Sequence, residues 1–118
     1  MPIVNRRYQG RSLQWARETL HKQVPRFPSA RAMADLYKDK LVRNPERGMV
    51  CFFGDDLPNG VRLPNGDCGI YLGSGLVRVL DPNGNPYTLP LSQVRGTFLG
   101  AMHWPSVPEK VGGQDGTT

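Results

Sequence analysis

The sequence predicts an α+β fold: two short N-terminal helices followed by a small antiparallel sheet or half-barrel of about five strands. Three observations carry this. Apolar residues recur at helical spacing only before Asn44. After Pro45 they gather into runs of four or five, the length of buried strands. Those runs are separated by segments rich in Gly, Pro, Asn and Asp, which are turn chemistry. Helices first and strands afterwards is the order of an α+β domain.

The chain has 118 residues, the size of one domain. Hydrophobic residues make up 38%, below the roughly 45–50% of an ordinary globular chain. With Gly 14 and Pro 11, much of the chain must be turn and connection. No apolar run reaches the ~20 residues that span a bilayer, and the first residues lack the apolar core of a signal peptide, so no membrane partner is expected. The net charge is +5 and the basic residues are front-loaded: Arg6, Arg7, Arg11, Arg17, Lys22, Arg26 and Arg31. Such a surface suits phosphates or an acidic protein. It lacks the interleaved aromatics of a nucleic-acid reader, so nucleic acid is the weaker of the two expectations. Cys51 and Cys68 have no Cys-x-x-Cys spacing, and His21 and His103 stand far from them, so neither a disulfide framework nor a metal site nor any cofactor is expected.

Residues 1–10, with Pro2, Asn5 and Gly10, read as an extended arm. Ser12 is a suitable N-cap for a first helix whose Leu13, Ala16 and Leu20 share a face. Val24-Pro25-Arg26-Phe27-Pro28 stops it, because each proline pushes its predecessor out of helical geometry. Ser29 caps a second helix with Ala30, Met33, Ala34, Tyr37 and Leu41 on one face, ended by Asn44-Pro45. Met49 to Phe53 is a continuous apolar run, expected to be buried on both faces. Gly54 to Asn65 is a polar loop with Pro-Asn-Gly turns. Then come a strand over Gly66–Leu72, a Gly73-Ser74-Gly75 turn, a strand over Leu76–Leu80, the Asp81–Pro86 turn, a short strand at Tyr87–Leu89 and a last strand over Thr97–Trp104. The segment 105–118 ends Gly-Gly-Gln-Asp-Gly-Thr-Thr, a composition that gains order only against a neighbour.

Two segments carry a family resemblance: Pro45-Glu46-Arg47-Gly48-Met49-Val50-Cys51-Phe52-Phe53, and Gly66-Asp67-Cys68-Gly69-Ile70-Tyr71-Leu72-Gly73. Together they resemble the core of the cell-wall cysteine peptidases and amidases of the NlpC and CHAP type, a papain-like superfamily. Phe98-Leu99-Gly100 and Trp104 look like that family's closing strand, and Val24–Ala30 looks like the linker after its catalytic helix in phage and actinobacterial versions. The resemblance spans residues 11–104 and implies a papain-like core flanked by an arm (1–10) and a tail (105–118).

The family's chemistry requires a Cys at the start of the first helix, a His at the start of the second strand and a polar residue that orients the His. The matching positions here are Ser12, Asp67 and Asp81, so the thiol and the imidazole are both missing. A carboxylate with a pKa near ~4 is a poor acceptor for a serine proton. Read without the resemblance, Ser12 is an N-cap, Asp67 a turn residue, and Cys68 and Cys51 packed thiols; alternation along a strand sends Cys68 to the face opposite Asp67. The resemblance therefore implies a non-enzyme: a structural or binding protein of a phage virion, capsid- or tail-associated. Its arm and tail would contact other virion proteins or further copies of itself, with Arg6, Arg7, Arg11, Trp104 and Val107 as contact candidates. The competing expectations are a peptidoglycan peptidase or amidase working through an atypical site and a basic nucleic-acid-binding β-domain.

Overall fold

In a computed structural model, residues 3–22, 25–54, 66–94 and 97–105 are described. Residues 55–65, Val24, and the residues from 106 onward, with the contact candidate Val107, lie outside them. The elements are α1 (Ser12–Thr19), α2 (Ala30–Leu36), and strands β1 (Val50–Phe53), β2 (Asp67–Gly73), β3 (Leu76–Leu80), β4 (Pro86–Pro90) and β5 (Phe98–Met102), with short 3-10 turns at Lys38–Lys40 and Leu91–Gln93. The chain is α+β, with two helices and a five-stranded sheet as the sequence predicts.

The sheet is antiparallel throughout, in the order β4-β3-β2-β1-β5. β1 lies between β2 and β5, and all four of its residues are buried, the outcome its unbroken apolar run implies. Its alternate side chains feed two cores. Val50 and Phe52 face the helices, where they meet Leu13, Trp15, Met33, Cys68 and Ile70. Cys51 and Phe53 face the other way, with Val77, Val79 and Ala101. The register shifts between Phe52 and Phe53 and between Tyr71 and Gly73. The β2–β3 hairpin turns through Gly73, Ser74 and Gly75, all at positive φ, and the Tyr71 hydroxyl accepts the Gly75 N–H at 2.8 Å. That backbone course explains why glycine brackets Ser74.

The helices differ from expectation at their ends. Ser29 caps α2 as predicted, its Oγ accepting the Ala32 N–H at 3.0 Å. The helix stops at Leu36, which is 66% exposed, and tightens into the 3-10 turn. Tyr37 and Leu41 still pack on the core, from outside the helix. Ser12 is not the N-cap of α1. That position is Arg11, whose side chain makes no capping bond, and Ser12 is the first helical residue.

The N-terminal segment is a turn at residues 6–10, seated on the β3–β4 connection. The Asn5 N–H donates to the Asn83 carbonyl at 2.7 Å, and the Gln9 amide donates to the Pro82 carbonyl at 3.3 Å. Gly84 is what permits the approach. Its φ is +85°, and a Cβ there would lie 2.5 Å from the Asn5 carbonyl oxygen. Arg7 is committed to this seat as well, 2.7 Å from Glu18 and stacked over Tyr8.

β4 is a sheet edge. The Leu91 N–H donates to the Gly75 carbonyl, so by strand alternation Tyr87 and Leu89 turn their amides to β3 while residues 86, 88 and 90 face outward. Two of those three are prolines, which offer no N–H. The opposite edge, β5, is partly covered where Val42 bridges Ala101.

Candidate functional site

The first turn of α1 meets the start of β2 at one end of the sheet. The three positions singled out from the sequence, Ser12, Asp67 and Asp81, line a single cleft of about 370 Å³, with Arg11, Leu80 and Tyr87 among its walls. Ser12 comes from α1, Asp67 from the first residue of β2, and Asp81 from the residue after β3. The sheet order makes this unavoidable, because β2 and β3 are paired neighbours and α1 packs on β2.

Its chemistry follows from who bonds whom. The Ser12 hydroxyl lies near the Asp67 carboxyl and the Cys68 thiol and favours the charged form of each. Asp67 also accepts the Cys68 N–H at 2.8 Å. Burial nevertheless pushes the Asp67 carboxyl above its ordinary value, against the pull of these two groups. Asp81 is occupied locally: its Oδ1 accepts the N–H groups of Asn83 and Asn85, both at 2.9 Å, which holds the turn beneath the N-terminal segment.

Neither thiol is prepared for nucleophilic attack. Cys68 is fully buried against the helices, and burial with the nearby Asp67 carboxyl drives its pKa upward. Cys51 is pushed up to about 12 by burial in the second core. The reactive form of a cysteine is the thiolate, and burial disfavours it at both positions. The imidazoles lie elsewhere. His21 follows the C-terminal end of α1, exposed, and His103 is exposed beside Glu46, with Nε2 3.5 Å from Oε1. Neither lines the cleft.

A second cavity, of about 350 Å³, shares Gly10, Arg11, Ser12 and Gly66 with the first and opens on the helix side, toward Phe27 and Trp104. Trp104, a predicted partner contact, is 5% exposed and packs edge-on to Phe27 with ring centres 6.0 Å apart. As a buried residue it offers no surface ring to a partner. Of the other predicted contacts, Arg6 and Arg11 are exposed, while Arg7 is held by Glu18. Among the described residues, no group of three or more His, Cys, Asp or Glu side chains could hold a metal ion, and no helix is long and apolar enough to cross a membrane.

Sequence reasoning missed the Ser12–Cys68 contact. Alternation placed Cys68 opposite Asp67, and the strand does so, since Cys68 lies in the helix-side core while Asp67 lines the cleft. What alternation does not convey is that Ser12 sits at the rim of the sheet, within reach of both faces. No protein-family profile, curated protein or solved structure matches this chain.

The sign of the Asp67 effect on stability is fixed by its direction. A carboxyl whose folded pKa is raised holds its proton more tightly in the native state than in the unfolded one. Its contribution is fully present below the unfolded value, ordinarily 3.8, and is lost as pH rises through the folded value. Denaturant midpoints measured across the acid range are expected to show this loss in the wild type and not in Asp67→Asn. A wild type that instead gains stability relative to Asp67→Asn as pH rises would mean that the folded state holds the carboxylate ionised.

Proposed function

We propose that this chain is a non-catalytic structural or binding protein of a phage virion, capsid- or tail-associated, built on an NlpC/CHAP-like papain-type core. The observation that carries the non-catalytic part is the Ser12–Asp67 contact. The two positions line one cleft, where one holds a hydroxyl, the other a carboxyl, and no imidazole lines the space. Acyl transfer by such a pair lacks both an activated nucleophile and a base of suitable pKa. The virion placement is supported by the resemblance to phage versions of the core and by a basic N-terminal region of a kind that docks on acidic neighbours.

The test has two arms. Incubated with purified cell walls, the protein is expected to release no soluble peptide or amine, with Ser12→Ala and Cys68→Ala indistinguishable from it. In lysates of infected cells, it is expected to co-sediment with purified particles at a fixed ratio to the major shell protein. Turnover abolished by Ser12→Ala would establish the hydrolase reading, which draws on the same Ser12–Asp67 contact. Recovery only in the particle-free lysate would refute the virion assignment.

A further inference from the structure

The surface that seats the N-terminal segment fits that segment whichever copy of the chain supplies it. We propose that residues 3–10 exchange between two copies, each arm docking on the Asp81–Asn85 turn of the other, with Gly10 as the hinge. The inference rests on the seat alone and stands or falls independently of the virion reading.

The seat is a built surface. Asp81 fixes its shape by accepting the Asn83 and Asn85 N–H groups. The Pro82 and Asn83 carbonyls then accept the Gln9 side-chain amide and the Asn5 N–H, and the Asn85 side-chain amide donates to the Ile3 carbonyl. Gly84 lies directly under the crossing. A Cβ there would fall 2.5 Å from the Asn5 carbonyl oxygen and 2.6 Å from the Gln9 nitrogen, so the turn is complementary to this particular backbone. Arg7 and Tyr8 complete the docking by bonding Glu18 of α1. All of these partners belong to the body of the domain. A second copy presents the same set at the same spacing, which is the condition for exchanging a terminal element.

The join and the tip of the arm favour transfer. Gly10 has φ +71° and nothing within 4 Å of a Cβ, so it can pass from its turn to an extended course without a clash and, being glycine, without strain. Ile3 is 79% exposed and Val4 is exposed as well. Ile3 is bonded to Asn85, and the next two residues along the chain, Pro86 and Tyr87, are also exposed. A single copy leaves these apolar side chains in water, on the side where exchange would hold a second body. Opposing this, the short tether gives each arm an effective concentration at its own seat on the order of 1 mM, so exchange is expected from about that concentration upward.

The test is complementation between two full-length variants. Gly84→Ala blocks the seat and leaves the arm intact. Asn5→Pro removes the N–H that the arm donates to Asn83 and leaves the seat intact. By light scattering at about 2 mM chain, each variant alone is expected to keep the monomer mass of 13.1 kDa, and their equimolar mixture to approach twice that mass. With only the Asn5→Pro chain labelled for NMR, its Asn83 and Asn85 amide signals are expected to return to their wild-type positions on mixing. An unchanged Trp15 indole signal reports an intact core in both variants. The wild type, which needs neither variant to fold, is expected to pass reversibly from monomer to dimer as its concentration rises through about 1 mM. The proposal is overturned by a mixture of folded variants that stays monomeric, by a wild type that stays monomeric at about 5 mM, or by a dimer that persists in Gly84→Ala, which would place the contact elsewhere.

Discussion

Replacing Phe52 by alanine is expected to destabilise the domain by about 3–5 kcal/mol, the range for truncating a large aromatic in a closed core. Phe52 is 1% exposed and sits in an interior strand, paired to Cys68 on one side and Gly100 on the other. Its side chain is among the largest fully buried ones in the helix-side core, so its loss leaves a void that α1 and α2 close only by shifting on the sheet. Domains of this size have about 5–15 kcal/mol in total, so the variant would keep only part of its stability. Urea unfolding followed by tryptophan fluorescence reads the effect, since Trp15 and Trp104 share that core. Leu36→Ala, on an exposed helix face, is the control and should stay within about 0.5 kcal/mol of the wild type. A Phe52 variant as mild as the control would mean that the helices do not close the sheet in the way described.

The second large effect is at Gly69, and its cause is overpacking. A methyl group there would lie 2.5 Å from Val79 Cγ1, 2.8 Å from the Arg78 carbonyl oxygen and 2.9 Å from Val77 Cγ2. Two of these neighbours are stiff β-branched side chains and the third is the backbone of the paired strand, so none yields cheaply. Gly69→Ala is expected to cost about 1–3 kcal/mol, at the upper end because the β2–β3 register itself must give. Gly73 provides the comparison. It has φ +96° and nothing within 4 Å of a Cβ, so Gly73→Ala carries conformational strain alone, about 1–2 kcal/mol. Denaturant midpoints for the two variants separate a steric origin from a conformational one. Equal losses, or a larger loss at Gly73, would show that the close approach of β3 to β2 is relaxed in solution.

Much of the architecture was legible because local chemistry and tertiary structure agree in this chain. The Val50–Phe53 run is buried on both faces because it became an interior strand. The Gly73-Ser74-Gly75 turn and the Ser29 cap are local events, and local rules found them. The misreadings share one physical cause, contacts from far along the chain. Ser12 has the residue type of an N-cap, but its hydroxyl lies near Asp67 and Cys68, more than fifty positions away. Trp15 was left off the α1 face by spacing, yet it is buried in the helix-side core. The seating of residues 3–10 on the Asp81–Asn85 turn had a local trace only in Gly84, whose partner no periodicity identifies. The cleft is a similar case. Its three positions were named from the sequence, but the cavity on the other side of Gly66 depends on two helices and a strand end meeting in space.

The prolines at 86 and 90 carry a consequence for any assembly this protein enters. Association by strand addition is read by the main chain and is therefore nearly blind to sequence; one exposed edge accepts another. On β4 the outward row offers only the Thr88 amide between two prolines, so that indiscriminate route is closed along the edge. A neighbour approaching there has to be chosen by side chains, among them the half-exposed Tyr87. Partner identity on that side is thus written in residues that evolution can vary singly, without rebuilding the sheet.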